Sequence, residues 1–206
     1  MRWMVLMMVW VTATPLWAAA LAAELADIQH RWAEIQYQLP EDEREKAFEK
    51  LASEAEQFVA DYPNRAEPLI WQGIVLSTYA GARGGLGALG LVKDARKSLE
   101  AAIAIDDRAL HGSAYTSLGS LYYQVPGWPL SFGDDKQAQQ YLQKALAINP
   151  EGIDPNYFFG DFLLEQGEEA RARIYLNKAL NAQPRPGRGI ADGGRRQEIS
   201  DRLGIL

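Results

Sequence analysis

Six consecutive residues, Gly85-Leu86-Gly87-Ala88-Leu89-Gly90, spell G-x-G-x-x-G. In a dinucleotide-binding fold such glycines follow a strand and open a helix whose N-terminus holds a pyrophosphate. Here the preceding segment, Leu69 to Tyr79, has helical periodicity, and no strand–helix–strand unit surrounds the run. It reads instead as a flexible inserted loop over 80–93. Arg83, beside free backbone N–H groups ahead of a helix, gives that loop a second use, the holding of a carboxylate or phosphate. The two histidines, His30 and His111, are too few for a His₃ zinc site, and neither H-E-x-x-H nor G-x-S-x-G occurs. Carboxylates are abundant, but none is singled out as a catalytic pair. The expectation is a protein that is not an enzyme and that holds no cofactor or metal ion.

A second stretch, Gln124 to Asp135, carries Trp128 and Phe132 among Pro126, Gly127, Pro129 and Gly133. Turn residues make it a stiff loop. Trp128 either plugs a gap beneath the loop or stands out as an anchor for a partner helix or apolar ligand.

The elements that must carry these groups follow from composition and periodicity. The chain has 206 residues, a net charge of −6, 48% hydrophobic residues and no cysteine. That supports a packed core and excludes disulfides, thiolate metal sites, thiol catalysis and a lipid anchor on cysteine. The acidic balance disfavours nucleic acid. Arg2, an apolar run from Trp3 to Trp17 and small residues through Ala23 have the layout of a secretory signal peptide over residues 1–22. Ala20-Leu21-Ala22 supplies an Ala-x-Ala site, with cleavage before Ala23; cleavage after Ala18 or Ala20, or a retained anchor, are the alternatives. The expected location is the periplasm, with no stable membrane anchor after cleavage.

Leu25, Ile28, Trp32, Ile35 and Leu39 form one apolar helical stripe, which Pro40 stops. A second helix opens in Glu41-Asp42-Glu43 and runs through Phe48, Leu51, Ala55 and Phe58. Three later segments then repeat a pattern. Gly73 precedes Ala95, Leu99, Ala102 and Asp107; Gly119 precedes Ala138, Leu142, Ala145 and Pro150; Gly160 precedes Ala172, Leu176, Ala179 and Pro184. From the first alanine to the end is 12 residues each time, whereas glycine to alanine is 22, 19 and 12. Two helices are kept and the loop between them varies. A glycine facing two alanines lets the helices of a hairpin approach closely.

This pattern resembles the tetratricopeptide repeat. Tyr115, Leu118, Gly119, Tyr122, Ala138, Leu142, Ala145 and Pro150 match its signature in order. The resemblance implies an all-α solenoid: an N-terminal helical cap over 23–65, three repeats over 66–186 with inserted loops at 80–93 and 124–135, and a C-terminal loop and short helix over 187–206. Both insertions then leave from one edge of the solenoid. First helices line the groove in such repeats, selecting Glu67, Ile70, Ile74 and Ser77, then Ser113, Thr116, Ser120 and Tyr123, then Asp154, Tyr157, Asp161 and Leu164. With no Lys or Arg among them, the groove suits an apolar, hydroxyl-rich or cationic ligand rather than a carboxylate. Arg195 and Arg196 of the tail are placed to clasp acidic repeat surfaces.

The stretches Val125–Pro129, Phe132–Asp134 and Gly152–Gly160 are similar to repeat proteins related to the T component of TRAP-type transporters. That implies a periplasmic helper of a solute-binding protein, although typical members carry a lipid-anchoring cysteine that this chain lacks. The expected function is a noncatalytic adaptor that binds a protein partner; the alternative is a carrier of a small apolar ligand in an aromatic-lined cavity. The residues expected to bind are Arg83, Tyr123, Trp128, Phe132, Asp154, Tyr157 and Asp161.

Overall fold

A computed structural model describes residues 14–205. Residues 1–13, most of the expected leader, lie outside the described residues, and the expected cleavage site at Ala20-Leu21-Ala22 falls within the first helix. The described residues form nine helices: α1 (Thr14–Gln38), α2 (Glu41–Asp61), α3 (Ala66–Arg83), α4 (Ala88–Ile105), α5 (Ala109–Gln124), α6 (Asp135–Ile148), α7 (Ile153–Glu165), α8 (Glu169–Leu180) and α9 (Gly189–Ile205).

The glycine–alanine pattern is the hinge pin of each hairpin. A Cβ placed on Gly73 would lie 2.5 Å from Leu99 Cγ, one on Gly119 2.5 Å from Leu142 Cγ, and one on Gly160 2.8 Å from Leu176 Cγ. In all three hairpins the leucine between the two alanines packs onto the bare backbone opposite. Ala95, Ala102, Ala138, Ala145, Ala172 and Ala179 are wholly buried. The α3/α4, α5/α6 and α7/α8 pairs are therefore built on the same contact. In α2, Phe48, Leu51, Ala55 and Phe58 are buried, so the opening pair fills the hairpin position with larger side chains.

Loop lengths differ from expectation in one place. The first insertion shrinks to residues 84–87, because Ala80 and Val92 are buried and extend α3 and α4 towards each other. Within this loop Gly84 (φ 63°) and Gly85 (φ 60°) adopt the positive φ that favours glycine. The second insertion is residues 125–134. The tail is helical over nearly all of 187–206 rather than a loop and short helix: Ala191 and Asp192 are buried, and Asp192 supports the first turn of α9 by accepting from the Arg185 backbone N–H at 2.8 Å.

The first helices of the hairpins close on themselves. α1 packs on α3, α3 on α5, α5 on α7 and α7 on α9, and α9 returns to α1. The even-numbered helices stand outside this ring. At the closing seam Tyr37 of α1 lies against Gly194 of α9, where a Cβ would run into the tyrosine ring. On the opposite flank Trp32 donates to Thr78 Oγ1 at 2.9 Å and meets Trp71 edge-on.

Candidate functional site: a self-occupied concave face and an exposed loop edge

The groove positions of α7 are already filled. Asp154 accepts from Arg185 Nη1 at 2.5 Å and from Arg195 Nε at 3.0 Å. Arg185 also pairs with the buried Asp192, Nε to Oδ1, at 2.7 Å. The Arg195 guanidinium lies 4.4 Å from the Tyr157 ring centroid and 4.7 Å from that of Phe158, while its Nη1 donates to Glu198. Two turns beyond the Arg195–Asp154 pair, Arg202 Nε sits 2.7 Å from Asp161 Oδ1, and the Tyr123 hydroxyl donates to Asp161 Oδ2 at 2.8 Å. Arg188 covers the Trp71 ring at 5.1 Å. The cationic occupant that the groove's composition suits is thus supplied by the chain's own tail.

The electrostatics agree with this closure. Burial alone would raise the Asp154 carboxyl, but Arg185 and Arg195 outweigh it and hold it at about 2. Burial first, and then the adjacent Asp161 carboxylate, push the Tyr123 hydroxyl well up. Burial also raises the Tyr37 hydroxyl. These tyrosines stay neutral donors throughout the physiological range. Arg196 departs from the expected clasp: it donates to the Ala182 carbonyl at 2.9 Å instead of pairing with a carboxylate. Arg185 and Arg202 take that role, which distance along the sequence gave no means of choosing.

The second site is the loop edge. Gly133 N–H donates to the Pro126 carbonyl at 3.0 Å and Asp134 N–H to the Tyr122 carbonyl at 2.8 Å, closing the base of the 125–134 loop. Asp134 then caps α6, accepting from Lys136 and Gln137 N–H at 2.8 and 3.0 Å. Phe132 is half-buried between the Tyr122 ring, 5.2 Å away, and the Arg96 guanidinium, 4.5 Å away. With the loop anchored in this way, Trp128 stands out with 89% of its surface exposed, beside Leu130 at 61%. Through Phe132 and Arg96 this loop rests on α4, the helix that loop 84–87 opens, and that shorter loop carries Leu86, 81% exposed.

The expected site residues therefore separate. Tyr123, Asp154, Tyr157 and Asp161 gather on the concave side under α9. Trp128 and Phe132 share the inserted loop, one as its tip and the other as its anchor. Arg83 ends α3, stacks on Tyr79 at 6.0 Å and reaches Glu45 at 3.9 Å. Nor does the G-x-G-x-x-G run have the geometry of a nucleotide cradle: α3 precedes it, and Ala88 and Leu89 N–H donate to the Gly85 and Leu86 carbonyls. Leu86 and Leu130 carry exposed apolar surface that sequence reasoning passed over; both lie in glycine- or proline-rich loops, which was the available signal.

Among the described residues, three glycine–alanine hairpins follow an opening helix pair and precede a terminal helix, and together they make an all-α solenoid of tetratricopeptide-like hairpins. The tetratricopeptide repeat family model matches residues 130–188, from the middle of the second insertion to the residue before α9. Among solved structures the chain is similar to that of MamA, with 18% identity, 80% of this chain and 95% of that one covered, and a TM-score of 0.35. No curated protein matches it.

Proposed function

We propose that the protein is a noncatalytic adaptor of the periplasm that docks a protein partner through the edge carrying both inserted loops. The observation that carries this reading is Trp128. A tryptophan 89% exposed on a loop held by two backbone hydrogen bonds and a half-buried phenylalanine is a presented anchor. Trp128, Leu130 and Leu86 supply rigid apolar contact, and turn chemistry holds the larger loop in shape before a partner arrives. The concave face is a poorer candidate for this role because α9 covers its polar residues. The resemblance to the T component of TRAP-type transporters suggests a solute-binding protein as the partner.

A photo-crosslinking residue at position 128, in the native host, tests this. The expected result is a crosslink to a transporter solute-binding protein that is lost when Leu86 and Leu130 are changed to Ser. A position-128 probe that crosslinks only to lipid or to nothing would overturn it.

A further inference from the structure

The apolar stripe of α1 runs on past the point where the leader is expected to end. Leu25, Ile28, Trp32, Ile35 and Leu39 continue backwards in the same register to Leu21 and Trp17, each a step of four. Leu21 is 6% exposed and belongs to the same buried cluster as Ile28, Phe58 and Tyr62. The Trp17 ring lies 5.3 Å from that of Tyr62, which meets Phe58 at 5.2 Å, and the Arg65 guanidinium lies 5.8 Å from the Trp17 centroid. Residues of the expected leader thus fill core positions against α2 and the α2–α3 junction. Cleavage before Ala23 would remove both Leu21 and Trp17, and cleavage after Ala18 or Ala20 would remove Trp17.

The outward side of the same turns has another character. Ala18, Ala19, Ala20, Ala22 and Ala23 are exposed, and Trp17 keeps 45% of its surface open. Between Arg2 and Glu24 stand 21 residues without a charge. A membrane span needs about 20. Among the described residues no helix is long and apolar enough to cross a membrane, but this run begins at Trp3, ahead of them. Where the run meets the folded chain stand Trp17, Tyr62 and Arg65, residue types that collect at the headgroup level of a bilayer.

We propose that the leader is retained, so that α1 is both the first helix of the solenoid and the end of an N-terminal anchor that holds the repeats against a lipid bilayer. A discarded leader has no need to keep the register of the helix behind it or to supply a buried leucine to the core. Arg2 ahead of the run orients it with the repeats on the exported side. The proposal shares with the loop-edge reading only the export of the chain. Crosslinking from position 128 does not depend on the anchor, and the anchor does not depend on crosslinking.

The full chain, expressed in its native host, tests this. No Lys or Arg lies between Arg2 and Arg31, so trypsin releases the retained form as one peptide, Trp3–Arg31, and a chain cut before Ala23 as Ala23–Arg31. The expected result is the longer peptide, with the protein at least tenfold enriched in carbonate-washed membranes over the soluble fraction. Ala22→Leu spoils the Ala-x-Ala site and should change neither the length nor the location of the chain. Leu21→Ala should lower the thermal midpoint of the detergent-solubilised chain by about 4 °C or more, whereas Ala19→Leu, on the exposed side, should not. Any peptide that starts later than Trp3, recovery in the soluble fraction, a chain lengthened by Ala22→Leu, or a midpoint indifferent to Leu21→Ala would overturn the proposal.

Discussion

Gly119 has no room for a methyl group: its missing Cβ would fall 2.5 Å from Leu142 Cγ and 3.2 Å from the Leu142 backbone nitrogen. Gly119→Ala should therefore destabilise the chain by about 1–3 kcal/mol through overpacking. Gly90, inside α4 with nothing within 4 Å, is the matched control. Gly90→Ala should be neutral or stabilising by up to about 1 kcal/mol, from helix propensity alone. Urea unfolding midpoints of the two variants separate packing from propensity. Asp154 gives a second prediction at this scale. Its carboxyl titrates at about 2 in the folded chain against an ordinary 3.8, so the folded state binds the proton less readily than the unfolded state. The stabilisation is complete above pH about 4 and is lost as pH falls towards 2. It is at most about 2 kcal/mol, since 29% of the side chain is open to solvent and partly screened. The stability gap between the unchanged chain and Asp154→Asn should narrow over that interval.

At the scale of elements, the α9 contact is finely balanced. Complete burial of Ile199 contributes about 2–3 kcal/mol. The two interior glycines, Gly193 and Gly194, each cost roughly 1 kcal/mol against alanine, and buried Arg–Asp pairs come close to breaking even. The 125–134 loop is balanced differently, by shape. A Cβ on Gly133 would collide with the Val125 carbonyl oxygen. Gly133→Ala should spoil the presentation of Trp128 and reduce crosslinking from position 128, with little change in thermal unfolding. Much of this level was legible in the sequence. Leu99, Leu142 and Leu176, each between two alanines and opposite a glycine, gave the hairpins before any coordinates. Trp128 was legible as a loop aromatic, but not its exposure, because turn residues fix loop stiffness and not which ring points inward. Residues 80–83 and 88–93 were misjudged as loop because three glycines dominated the reading, although Ala80 and Val92 had core positions to fill.

For the whole molecule, the decisive feature is the return of α9 to α1. Curvature accumulates over successive hairpins, so no local pattern announces that the first and last helices of the inner ring will meet. The individual residues were readable: Tyr123, Asp154, Tyr157 and Asp161 lie on the concave side as repeat register requires. Their occupant was not, because choosing Arg185, Arg195 and Arg202 over Arg196 depends on the path of the 181–188 linker. Closure changes the functional reading. A solenoid whose α7 groove positions are covered by its own terminal helix must dock partners elsewhere, or open there first. The loop edge is the surface that requires no opening.

A disulfide across the seam tests that claim directly. The chain has no cysteine, so Tyr37→Cys with Gly194→Cys introduces a single pair where α1 and α9 touch. Oxidation should form the bond and hold the ring shut. The oxidised chain should still capture its partner, and Trp128→Ala in the same background should abolish capture. Loss of the partner on oxidation and its recovery on reduction would contradict the account.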